Sequence, residues 1–154
     1  MSHELVTEEF LDTYEGEVMF LSQDLEELEK SLQSGVFTRE SLDLLTNNMI
    51  DVHDVFLSSQ YTQHIAPIFK DFSEFIASMS VERLLEHKNS ISYLCAIILD
   101  INTYIEQYFI GRVFSNVYLF QDSLKNSIEF LKTSYKCEEG ACEEEDDGSE
   151  ILFL

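Results

Sequence analysis

At 154 residues the chain suits one domain with its own core, and 45% hydrophobic content with one Pro and five Gly favours packed helices over a strand-rich fold. A formal net charge of -21 excludes nucleic acid and anionic membrane as partners, because affinity for a polyanion comes from Lys and Arg displacing counterions. The segment from Cys137 to Leu154 holds eight acids and no Lys or Arg, so about -13 remains on the rest and both parts are acidic.

From Leu11, apolar residues fall at Tyr14, Val18, Leu21, Leu25, Leu28 and Leu32, steps of three and four that predict a helix with one seam. Thr7 caps its first turn in this reading, and Gly35 ends it. A second helix, capped by Thr38, carries Leu42, Leu45, Met49, Val52 and Phe56 inward and loosens at Ser58 and Ser59. A third begins around 62–66, tolerates Pro67 in its first turn and buries Ile65, Phe69, Phe72, Ile76 and Met79.

Ser80 caps a fourth helix that runs inward through Leu84, Ile91, Leu94, Ile98, Ile101, Ile105 and Tyr108 to a break or kink at Gly111. His87 falls within its inner stripe and is expected as a buried, hydrogen-bonded residue. The fifth helix places Val113, Val117, Phe120, Leu124, Ile128 and Leu131 inside. No strand pattern competes.

These elements predict an all-α fold, an antiparallel bundle of four to five helices over 1–136, because short connections reverse direction. A dimeric coiled coil through the first helix is the competing arrangement, so a homodimer stays open. Residues 137–154, CEEGACEEEDDGSEILFL, are expected as a disordered acidic tail. The apolar run Ile151, Leu152, Phe153 and Leu154 is either a docking peptide on that tether or an adventitious sticky end.

Three cysteines form no even framework and suit a reducing cytoplasm, with Cys95 a small hydrophobe in an apolar stripe. The acidic start MSHELVTEEF does not read as a signal peptide, and YLCAIIL is too short to span a bilayer. His3, His53, His64 and His87 show no metal-ligand spacing. Cys137 and Cys142 lack a second ligand pair and are read as inert thiols or a transient disulfide. No metal or cofactor is expected, and no phosphate loop or nucleophile elbow is recognisable, so a conventional small-molecule enzyme is not expected.

In MIDVHDVFLSS, His53 lies about 60° off the middle of the stripe formed by Leu45, Met49, Val52 and Phe56, at the edge of the buried face. The stretches EEFLDTYEGEVMFLSQDLEELEK and MIDVHDVFLSSQYTQHIAPIFKDFSEFI, within residues 7 to 110, resemble the first helix and His-bearing hairpin of histidine-containing phosphotransfer (HPt) domains. The resemblance implies a helical bundle that docks a response-regulator receiver, with His53 as phospho-acceptor and outward Asp54 and Gln60 at the contact edge. The family's Lys and Gly, three and four residues after the histidine, are replaced by Phe56 and Leu57. A docking module without phosphotransfer is the reading that follows, against a simple edge histidine satisfied by hydrogen bonds.

LFQDSLKNSI, residues 119–128, is similar to the catalytic helix of the chemotaxis phosphatase CheZ, in which an Asp is followed four residues on by Gln. This resemblance implies a response-regulator phosphatase in which Asp122 and Asn126, on one outward helical face, orient the attacking water. An ordinary solvated face is the plainer reading of that pair. A structural scaffold with no signalling role is the third alternative.

Overall fold

The computed structural model describes residues 8–60, 62–112 and 117–137. Helix α1 spans Glu8–Ser34, α2 Arg39–Leu57, α3 Ala66–Ala77, α4 Val81–Glu86, α5 Lys88–Ile105 and α6 Val117–Cys137, with a π-helical turn, Glu106–Ile110, continuing α5. Among the described residues all regular structure is helical. The Thr7 cap, Val113 and the tail from Glu138 onward lie outside the described residues, whereas α6 continues one residue past the expected boundary at Lys136.

Capping chemistry sets the ends. Gly35, at φ +78°, follows α1, and its N–H donates to Leu32 O at 3.3 Å while Val36 N–H donates to Ser31 O at 3.0 Å. These are the two bonds of a Schellman ending, which requires the left-handed residue that glycine supplies. Thr38 Oγ1 accepts from Ser41 N at 3.2 Å and Ser41 Oγ accepts from Thr38 N at 3.1 Å, so both residues satisfy orphan donors at the start of α2. After α2, buried Thr62 donates to Phe56 O at 2.6 Å and ties the turn to α3, where Pro67 sits in the first turn as expected.

Packing is cyclic. α1 lies between α2 and α5, α2 packs along α3, and α6 rests against α5 and α3, so the helices close a ring around one core. At its centre Phe56 stacks on Phe69 with centroids 5.4 Å apart and meets Tyr104, Tyr108 and Phe109. This is an antiparallel helical bundle with an aromatic core, as the periodicities required. Cys95 is buried beside α1, and burial followed by Glu29 pushes its thiol pKa up to about 11, which leaves it an inert hydrophobe.

Two expectations for the fourth helix need correction. It is not continuous from Ser80: His87, extended at φ -121° and ψ 101°, separates α4 from α5. In an unbroken helix at 100° per residue, Leu84 would stand about 70° off the line of Leu94, Ile98, Ile101 and Ile105. The break resets the phase, so that Leu84 is fully buried along with them. His87 is consequently a half-buried junction residue and not part of an inner helical stripe.

The expected disruption at Gly111 takes the form of the π turn, closed by Gly111 N–H donating to Glu106 O at 2.9 Å. It lets Tyr108 and Phe109 both turn into the core. Ser22 of α1 donates to Glu106 Oε2 at 2.7 Å, and Arg112 donates to Asp12 at 2.9 Å and Glu15 at 3.0 Å. Both ends of the turn are thereby fixed to α1.

Candidate functional site

His53 lies on the last two turns of α2, its side chain 20% exposed, at the edge of the buried face as its phase predicted. Its Nδ1 is 3.0 Å from Asp54 Oδ1, whose side chain is 66% exposed. With the proton on Nδ1, that atom donates to the carboxylate and Nε2 keeps its lone pair, an arrangement that orients an imidazole. Asp54 and Gln60 are both exposed, on the helix and in the turn after it.

Two further residues, which belong to no sequence motif, complete this ridge. Ile50 and Leu57 are exposed, and with His53 and Asp54 they occupy positions i, i+3, i+4 and i+7, one face of α2. Their signal is available in principle, because neither falls in phase with Met49, Val52 and Phe56.

The seam between α1 and α2 is negative. Burial raises the Glu17 pKa, and the Asp51 and Asp54 charges across the α1–α2 seam raise it further. Asp51 is raised by burial and then by Asp54 and Asp24. Tyr14 donates to Ser58 Oγ at 3.0 Å and fixes the register that brings these carboxylates together. The only cation of α2 is Arg39, about 21 Å along the helix from His53, and it pairs with Asp43 at 3.3 Å.

Position 56, where the HPt family has its lysine, is Phe56 at the centre of the core with no exposed surface. Nothing on α2 supplies the positive charge that a phosphorylated imidazole needs.

Asp122 and Asn126 are exposed one turn apart on α6, as expected for an outward pair. The fold does not bring them together with His53, since α3 lies between α2 and α6 in the ring. Ile151 to Leu154 lie outside the described residues. Among the described residues no group of three or more His, Cys, Asp and Glu side chains is arranged to hold a metal ion, and no helix is long and apolar enough to cross a membrane.

A second feature, which the sequence did not signal, is a groove of about 460 Å³ between α5 and α6, lined by Leu99, Thr103, Tyr104, Leu119, Phe120 and their neighbours. The Tyr104 and Phe120 rings stack in it with centroids 3.9 Å apart.

No protein-family model, curated protein or solved structure matches the chain.

Proposed function

We propose that the protein is a docking module that engages a partner protein through the exposed ridge of α2, without carrying phosphate itself. The observation that carries this reading is the pairing of exposed Ile50 and Leu57 with the His53–Asp54 couple, flanked on the α1 side by the carboxylates of Glu17 and Asp51. Such a surface suits a partner face with apolar pockets and a basic rim: burial of the apolar pair supplies affinity, and the charges supply steering and orientation. A response-regulator receiver is the partner class to which the HPt resemblance points.

Phosphoryl transfer is disfavoured by electrostatics. A phosphohistidine would add about two negative charges next to Asp54, with the lysine position filled by buried Phe56. Asp122 and Asn126 support the phosphatase alternative only through their shared exposed face on α6. A scaffold role is the remaining alternative, and it requires no contact at the α2 ridge.

Calorimetric titration with purified receivers from the native cell tests the proposal. Leu57→Asp should weaken binding by about tenfold or more, the usual scale for losing a central apolar anchor, while Phe20→Asp on α1 should leave it unchanged. Absence of binding by every receiver would remove the receiver as partner. Binding indifferent to Leu57→Asp and Ile50→Asp would remove the α2 ridge.

A further inference from the structure

The acidic residues are unevenly distributed. Exposed acids occur along α1, α2, α3, α4 and the outer face of α6, yet of the eight exposed residues of α5 only Asp100 is acidic. The outer face of α5 runs from Lys88 and Asn89 through Ser92, Tyr93, Ala96, Leu99 and Thr103, so that one lysine and the Asp100 carboxylate are its only charges. The adjoining edge of α6 adds Leu119, 68% exposed, and Phe130, 61% exposed and stacked on Tyr93 at 6.2 Å. Between the two helices lies the 460 Å³ groove, and Tyr104 in its lining is only 6% exposed, with no hydrogen-bond partner for its hydroxyl among the described residues.

We propose that this α5–α6 face pairs with the same face of a second copy of the chain. Two molecules of charge -21 repel, and they can approach only where little like charge is brought together. The α5–α6 face meets that condition, and a two-fold contact presents the same near-neutral patch from both sides. A basic partner is drawn to α1 and α2 instead. The chain's own acidic segment, with eight acids from Glu138 to Glu150, gains no net charge complementarity on α5, where Lys88 is offset by Asp100.

The available area sets the strength of the pairing. Eighteen residues of α5 extend about 27 Å, and two adjacent helices are about 20 Å wide, which gives about 540 Å² per copy. The total, about 1,100 Å², lies at the lower end for specific interfaces. The dimer is therefore reversible and concentration-dependent, and it tightens with salt as the remaining carboxylates are screened. This surface is separate from the α2 ridge, so the pairing holds whether or not that ridge docks a receiver.

Sedimentation velocity of the full chain across the micromolar range, at low and high salt, tests the proposal. A monomer–dimer equilibrium is expected that is stronger at high salt. Leu99→Asp combined with Phe130→Asp should raise the dissociation constant by at least about tenfold, and Ala96→Glu should act in the same direction. All three side chains are exposed, so circular dichroism should remain unchanged, and Phe20→Asp on α1 should have no effect. A monomer under all conditions overturns the proposal, as does a dimer that Phe20→Asp disrupts and the α5–α6 variants do not. A full chain that stays monomeric while a chain lacking residues 138–154 dimerises also overturns it, by showing that the acidic segment covers the face.

Discussion

The hydroxyl of Tyr135, near the end of α6, accepts a hydrogen bond from the backbone N–H of Ser80 at 2.8 Å, joining positions 55 residues apart. Ser80 in turn caps α4, its Oγ accepting from Arg83 N at 3.3 Å. The last long helix thus secures the turn between α3 and α4. The Tyr135 ring contributes separately, through an edge contact to Phe75 at 5.9 Å and the Arg83 guanidinium 5.7 Å from its centroid.

Tyr135→Phe retains those ring contacts and removes the acceptor. A half-buried N–H left without a protein partner costs about 1–2 kcal/mol, equivalent to a fall of a few degrees in Tm. Urea denaturation should show a lower midpoint with an unchanged slope. A midpoint equal to wild type would mean that water replaces the tyrosine oxygen fully.

Gly35 and Gly111 both stand at helix ends, but for different reasons. Gly35 has φ +78° and open space where a Cβ would stand, so Gly35→Ala is penalised by torsion alone, about 1 kcal/mol. Gly35→Asn should recover part of that loss, since Asn tolerates the left-handed region. Gly111 has an ordinary φ of -77°, but a Cβ there would meet Gln107 O at 3.3 Å. Gly111→Ala and Gly111→Asn should therefore be similarly unfavourable. Thermal melts of the four variants distinguish torsional from steric cost.

Among the described residues the carboxylates with shifted pKa values, Glu17, Asp51 and Asp100, are all raised, with burial the first cause in each. A carboxyl whose folded-state pKa is raised binds its proton more tightly folded than unfolded. It carries a destabilising penalty above its folded pKa and loses that penalty as pH falls toward the ordinary carboxylate range. Stability from these groups should consequently rise as pH is lowered from 7 toward the ordinary carboxylate range. Glu17→Gln should raise Tm at pH 7 by up to about 2 °C, because an exposed like-charge pair costs about 0.2–0.5 kcal/mol, and the gain should shrink near pH 4. A pH-independent gain would point to packing instead of charge.

The helical phases of α1, α2, α3 and α6 were legible in the sequence because each repeats its apolar residues at a steady interval with few breakers. The junction at His87 was not, since Leu84 lies close enough to the stripe of Ile91 and Leu94 to read as its continuation. The edge position of His53 followed from its angle to Met49, Val52 and Phe56, a local property. The clustering of Glu17 with Asp51 and Asp54 depends on how α1 and α2 slide past each other, which Tyr14 and Ser58 fix from 44 positions apart. Local periodicity contains no information about that register. The same holds for the acid-poor α5–α6 face, which exists only once the two helices are neighbours.

In the docking reading proposed above, His53 contributes contact and carries no phosphate. Its Nδ1 is held by Asp54 at 3.0 Å, and a phosphoryl group on the free Nε2 would have no neighbouring cation on α2. Incubation with phosphorylated receivers should therefore leave no acid-labile, base-stable phosphate on the protein, and His53→Gln should change neither this result nor the fold. Receiver affinity should shift by less than about threefold in His53→Gln if, as proposed, the exposed apolar flanks Ile50 and Leu57 anchor the contact. Receiver dephosphorylation followed in parallel should run at its intrinsic rate in both wild type and Asn126→Ala. Faster dephosphorylation that Asn126→Ala abolishes would establish the phosphatase reading. A robust phosphoprotein that disappears in His53→Gln would show instead that the imidazole accepts phosphate despite its acidic setting, and that cations from the docked partner compensate for the lysine replaced by Phe56.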